Sequence, residues 1–332
     1  TREDKVKGKA VTPDARVWDG YNPASSVIPV TRVEGVTHVL VHPSGGSLVS
    51  GQAALFRTVG ERVSDARVAI PPLLCVNMGR AGIGGDGPSS RMEVAMRLRE
   101  ILDEVETSEE PSSSWKRRRK SSGHREEKGQ DETGTAEERI WKKVRKGETR
   151  VLLKVERADD ILRALELAEN YELNAILIGA AEGHRVASDI AAAGVPVFLG
   201  PLTVQPSSFE HLEARYDNAA LLHQAGVPLA FRTGSAHSSR GLRVSAGVAV
   251  AHGLPWEAAM DALSPGAWRA LGAAEQGQLH PGAQANLVIT AGDPLQARVP
   301  VERVVIDGVE RSMMTRQRRL FEHYQTLGDR VR

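Results

Sequence analysis

The chain has 332 residues, 41% of them hydrophobic and 26% charged, which suits a soluble globular protein of one large domain or two ordinary ones. Its 43 Lys and Arg nearly cancel its 42 Asp and Glu, which argues against a protein built around nucleic acid or an anionic membrane. A single cysteine, Cys75, can close no intrachain disulfide and build no thiolate metal site, and no apolar stretch approaches the ~20 residues that span a bilayer.

The chain opens on Thr1-Arg2-Glu3-Asp4, without Met and without a signal-peptide pattern, which reads as a processed or truncated start and leaves cytoplasm and periplasm both open. Val36–Val41 is short, β-branched and followed by Pro43-Ser44-Gly45-Gly46, the pattern of a buried strand and a turn. Cys75 sits in the apolar run Ile70–Val76 and reads as an inert core thiol. Gly82-Ile83-Gly84-Gly85 precedes Pro88 with no strand expected before it, which speaks against a dinucleotide turn. From Arg91 to Leu102 the apolar residues recur at helical spacing, with Ser90 placed as the cap.

Across 106–147 the composition shifts. Glu109-Glu110-Pro111, Lys116-Arg117-Arg118-Arg119-Lys120 and His124-Arg125-Glu126-Glu127-Lys128 offer little to bury, so this segment is expected to be a disordered, charged insertion. Beyond it a regular pattern begins: strands at Val151–Val155, Ala175–Ile178, Val195–Leu199 and Pro228–Phe231 alternate with helices over 158–170, 186–193 and 218–224. Gly194 and Gly226 stand where helix-ending glycines belong. Apolar strands alternating with helices mean a parallel sheet covered by helices, as a doubly wound sheet or a barrel.

The last third is more specific. Leu263–Gly272 is followed by Gly277-Gln278-Leu279-His280-Pro281-Gly282, by the short strands Leu287–Ile289 and Val304–Ile306, and by the turn signal Asp307-Gly308. This arrangement resembles the end of an amidohydrolase-superfamily enzyme of the imidazolonepropionase-like branch. Gly35 through Gly51-Gln52 resembles that family's second barrel strand with its Gly-Gln turn, and Arg157–Ile161 the opening of a helix after a metal-binding strand. The resemblance implies a (β/α)8 TIM-type barrel over 1–272, incomplete at its N-terminal side. It also implies C-terminal strands of a small composite β-sandwich over 273–312 and a C-terminal helix over 313–332. The family's first strand, with its His-x-His pair, has no counterpart ahead of Val11.

In such enzymes metals at the barrel mouth generate a hydroxide that attacks a carbonyl, which needs neutral imidazoles and a carboxylate converging on one point. Carried across, the fifth-strand His falls at Lys154, the sixth-strand His at Gly179 and the eighth-strand Asp at Gly234. The resemblance therefore implies a homologue without the usual metal-dependent hydrolysis of carbon–nitrogen bonds. No cofactor is expected, and a divalent metal such as zinc enters only if the site is rebuilt or completed upstream. Polar candidates for the mouth are His42, Lys154, Glu182, His184 and His237, of which the three imidazoles and Glu182 form a conceivable replacement site. Lys154 reads either as a Schiff-base nucleophile or as a filler of the metal's space, balanced by a carboxylate such as Glu182. His38 reads as a packed core residue, and His211, His223, His252, His280 and His323 as surface residues. No nucleophile elbow, catalytic triad order or Cys–His pair stands in a persuasive context. The alternatives are an active hydrolase with a rebuilt site, and a structural or assembly subunit. Partners implied are a small molecule in the mouth and a second copy or partner chain at the open barrel edge, with no nucleic acid and no membrane.

Overall fold

The computed structural model describes residues 8–85, 87–109, 135–206 and 208–330. Helix α1 (Val27–Arg32) leads into β1 (His38–Val41) and β2 (Val49–Arg57), which pair as an antiparallel hairpin. Helix α2 (Val63–Ala66) precedes β3 (Leu73–Asn77), antiparallel to β2. From β3 onward the pairing is parallel. Helices α3 (Arg91–Glu109) and α4 (Ala136–Arg145) lead to β4 (Val151–Val155), α5 (Ala158–Asn170) to β5 (Ala175–Gly179), α6 (Ala187–Ala193) to β6 (Val197–Leu199) and α7 (Asn218–Gln224) to β7 (Leu229–Phe231). The seven strands lie in sequence order as one curled half-barrel. Helices α8 (Leu242–Ala251), α9 (Trp256–Leu263) and α10 (Pro265–Ala270) follow. A separate antiparallel sheet holds β8 (Leu287–Thr290), β9 (Val301–Ile306) and β10 (Val309–Arg311), and α11 (Arg316–Arg330) ends the described chain. Among the described residues no helix is long and apolar enough to cross a membrane.

The period of two along each strand sorts its side chains into two cores. Val151, Leu153 and Val155 of β4, Leu177 of β5 and Val197 and Leu199 of β6 point outward and pack on Ile161 and Leu165 of α5, Ile190 of α6 and Leu222 of α7. Leu73, Cys75, Leu152, Ile176, Ile178, Phe198 and Ala230 point inward. Both faces are covered, so these strands are apolar apart from Asn77 and Lys154 toward their C-terminal ends. The concave side is filled by Ala267, Trp268 and Ala270 of α10 together with Leu271. His38 meets the Trp268 ring edge-on with centroids 5.2 Å apart. Burial, with help from the Arg57 charge and against Asp307, pushes its imidazole pKa down to about 4.

Several sequence expectations hold at the level of single residues. The Ser90 hydroxyl accepts the Glu93 N–H at 3.2 Å, α5 and α7 have the expected bounds, and Gly194 and Gly226 take positive φ. Asp307 and Gly308 both have positive φ, 53° and 76°, the twist that joins β9 to β10 as a tight hairpin. Others do not hold. Gly51 and Gln52 are not a turn but lie inside β2, at a bulge opposite β3. A strand, β3, does precede Gly82, although the next helix, α3, begins only at Arg91.

The largest departure is at the end of the expected insertion. Helix α4 forms within it, opened by Thr135 and Glu138, each accepting the other's backbone N–H. Trp141 and Val144, three residues apart on one face, are buried against the helical layer. Average composition hides them, because two large apolar residues at that spacing suffice to dock a helix of polar sequence. Residues 110–134, with the basic run Lys116–Lys120, lie outside the described residues. Trp141→Ala is expected to destabilise the protein by about 3–5 kcal/mol, the usual cost of emptying a buried aromatic site, read as a lower denaturant midpoint.

Candidate functional site

In a parallel sheet the inward row of each strand continues past its C-terminal end, and here those rows turn polar at one mouth. Asn77 ends β3, where its side-chain amide donates to Ser47 O at 2.8 Å. Lys154 follows Leu152 on β4, Glu156 comes two residues later, and Arg232 follows Ala230 past β7. The Arg232 guanidinium donates to Gly200 O at 2.9 Å.

Glu156 is the centre of this group. Its carboxylate accepts the Ala181 N–H at 3.2 Å and lies 4.0 Å from His211 Nε2. Burial pushes its pKa up to about 7; Arg232, the Ala181 N–H and Lys154 pull against that, while Glu210 adds to the rise. Burial and then the Arg232 charge lower the Lys154 pKa, with Glu156 and Glu210 opposing. Burial also lowers the Arg232 pKa, again against Glu156. Gly179 makes room for this arrangement. Its φ is +104°, and a Cβ built on it would overlap the Glu156 carboxylate. The Glu156 carboxylate, from the end of the neighbouring strand, occupies the space a side chain at position 179 would take.

The segment between β6 and α7 covers the mouth. Glu210 reaches back to accept the Arg80 N–H at 2.7 Å and an Arg91 Nη2 bond at 2.6 Å, while Arg91 Nε bonds Asp160 of α5 at 2.9 Å. Next to it, His211 Nδ1 is 3.0 Å from Ser208 Oγ. What remains beneath, lined in part by Glu156, Gly179, Gly200, His211 and Asn218, is a cavity of about 10 Å³. That holds roughly one water.

The other sequence candidates lie elsewhere. Glu182 is buried, but it accepts the Ala158 N–H at 3.0 Å and so anchors the start of α5; the carboxylates facing Lys154 are Glu156 and Glu210 instead. The His184 backbone N–H bonds Asn218 Oδ1 at 2.8 Å, its ring Nδ1 is buried without a hydrogen-bond partner, and burial, then Arg215, lowers its pKa. His42 places Nδ1 2.9 Å from Pro43 O, beyond the edge strand β1. His237 and Gly234 are exposed. His42, His184, His237 and Glu182 do not gather as a ligand group among the described residues: Glu182 and His184 share the β5–α6 connection, while His42 and His237 lie on two other loops. His211, expected on the surface, belongs to the mouth. Glu156 is legible in the sequence as the inward neighbour of Lys154, two residues on; Glu210 and His211 sit in a long loop with no periodic signal.

An amidohydrolase from Thermotoga maritima MSB8 superimposes with a TM-score of 0.81 and 24% sequence identity, over 92% of this chain and 80% of that one. The fold is that of an amidohydrolase. Residues 218–311 also match the amidohydrolase family model, which covers α7 through β10. A prolidase complexed with N-methylphosphonate-L-proline aligns over only 52% of this chain and 48% of its own, at 16% identity and a TM-score of 0.42. No curated protein matches the sequence. Amidohydrolases usually bind a divalent metal. The donor set here does not fit one: among the described residues no three His, Cys, Asp or Glu side chains gather as a ligand group, and the mouth of this amidohydrolase-like sheet presents two cations, Lys154 and Arg232.

Gly179→Ala is expected to cost about 1–3 kcal/mol from backbone strain alone, with the clash against Glu156 added, measurable by thermal melting. Glu156 also predicts a pH dependence. Its pKa is raised from 4.5 to about 7, so its contribution to stability is present in full below pH 4.5 and is lost as pH rises through 7. His38, lowered from 6.5 to about 4, acts oppositely: its contribution is present above pH 6.5 and is lost as pH falls through 4. The difference between the wild type and Glu156→Gln isolates the carboxylate. Between pH 4.5 and 8 the wild type should lose up to about 3 kcal/mol relative to the variant, measured by denaturant titration at each pH.

Proposed function

We propose that this chain is a non-hydrolytic homologue of the amidohydrolases, in which a Lys154–Glu156–Arg232 charge group replaces the metal centre at the barrel mouth. The observation that carries this reading is the seat of the Glu156 carboxylate, in space that any side chain at position 179 would need. Metal-dependent hydrolysis requires a Lewis acid with an open coordination position next to a substrate carbonyl. Two cationic side chains repel a divalent ion electrostatically, and the cavity beneath Glu210 and His211 is only about 10 Å³. Lys154 is held as a counter-charge to Glu156 and Glu210, which favours its space-filling role over a nucleophilic one.

The test uses the purified full-length protein. Metal analysis is expected to find no stoichiometric zinc, manganese or iron, and titration with zinc or manganese should elicit no hydrolysis across a panel of amides, ureides and cyclic imides. Stoichiometric metal together with metal-dependent hydrolysis that disappears in Glu156→Gln would overturn the reading.

A further inference from the structure

Away from the mouth, a second cleft opens between α1, the end of β2 and β10. Its volume is about 510 Å³, within the range of small-molecule sites. Pro23, Ile28 and Pro29 give it an apolar wall, and Arg32 and Arg311 both line it.

Both guanidiniums donate to backbone carbonyls rather than to the Glu61 and Asp65 carboxylates that share the cleft. Arg32 Nη1 donates to Thr58 O at 2.6 Å, and Arg311 Nη2 donates to Ile306 O at 3.0 Å. The Nε atom of each is buried without a hydrogen-bond partner, and neither arginine forms an ion pair among the described residues. Burial and then the Arg311 charge lower the Arg32 pKa, so the two cations repel one another. Arg57 nearby shows the contrast, since Asp307 meets its guanidinium at 2.7 Å. Glu61 and Asp65 also line the cleft, yet Asp65 is engaged by the Arg62 N–H at 3.0 Å and the Ser64 hydroxyl at 3.1 Å. Arginine cannot shed its proton to relieve the repulsion. Arg32 and Arg311 are half-buried, and two cations without an ion-pair partner lining one open cleft point to an anion from outside.

We propose that this cleft binds a small molecule through a phosphoryl group held between Arg32 and Arg311, with the rest of the ligand against Pro23, Ile28 and Pro29. Two permanent positive charges match the near-dianionic phosphate, whose oxygens accept from the remaining Nη–H groups of both arginines. The site shares no residue with the barrel mouth, so its failure and that of the non-hydrolytic reading are separable.

The probe is inorganic phosphate on the full chain, followed by calorimetry and thermal melting, with sodium chloride at matched ionic strength as the control and succinate as the carboxylate arm. Saturable one-to-one phosphate binding with a rise in Tm beyond the chloride control is expected. Arg32→Gln and Arg311→Gln should each weaken it by at least roughly tenfold, the loss of one charge-assisted contact. Arg311→Lys keeps the charge but loses the fork and should bind with intermediate affinity, which serves if a Gln variant fails to fold. Phosphate binding no different from chloride, or undiminished in the arginine variants, overturns the site. Succinate binding in preference to phosphate overturns the phosphoryl assignment.

Discussion

A carboxylate buried in a protein interior must be matched or neutralised, and the mouth of this sheet is organised around that demand at Glu156. Lys154 and Arg232 approach it from β4 and from the end of β7, the Ala181 N–H bonds it directly, and Gly179 gives up its side chain so that the carboxylate has somewhere to lie. Each partner alone would be poorly placed: the two cations would repel each other in a buried space, and the acid would have no charge to face. Together they form a polar core layer at the end of an apolar sheet. The acid's pKa near neutrality shows how nearly the desolvation cost and the charge attraction balance.

That layer depends on a cover that comes from far along the chain. Glu210 and His211, between β6 and α7, reach back over β3 and β4, and the Glu210–Arg91–Asp160 ion pairs tie the cover to the first turns of α3 and α5. Because Asp160 and Glu210 are both almost fully buried, these pairs are screened less than surface ones and hold the segment in one register. The small cavity below is the result. The opposite end of the molecule solves a different problem. An unclosed sheet leaves its concave face without facing strands, and Trp268 and Leu271 fill that space from the α10 end of the chain. A half-barrel can thus pack its concave face without closing.

Much of this architecture is legible in the amino-acid sequence. Strand and helix identities from Val151 to Phe231 follow from apolar periodicity and helix-ending glycines, and the C-terminal turn-and-strand pattern points to the amidohydrolase fold. The places of Lys154 at the end of β4 and Gly179 at the end of β5 are also readable, since they rest on short-range spacing within strands whose places are clear. Composition misleads at the end of the charged segment, where Trp141 and Val144 dock a helix that an average over the stretch does not reveal.

The sequence by itself determined which residues alternate into which core, because that follows from local periodicity along a strand. Only the tertiary structure decided which charged groups meet at the mouth. Glu182, close in sequence to the sixth-strand position, turns to the start of α5, whereas Glu156, Arg232, Glu210 and His211 are brought together from well-separated segments. Side chains that meet across loops of unequal length leave no periodic trace, so their meeting is a property of the packed sheet and its cover, and not of any stretch of chain.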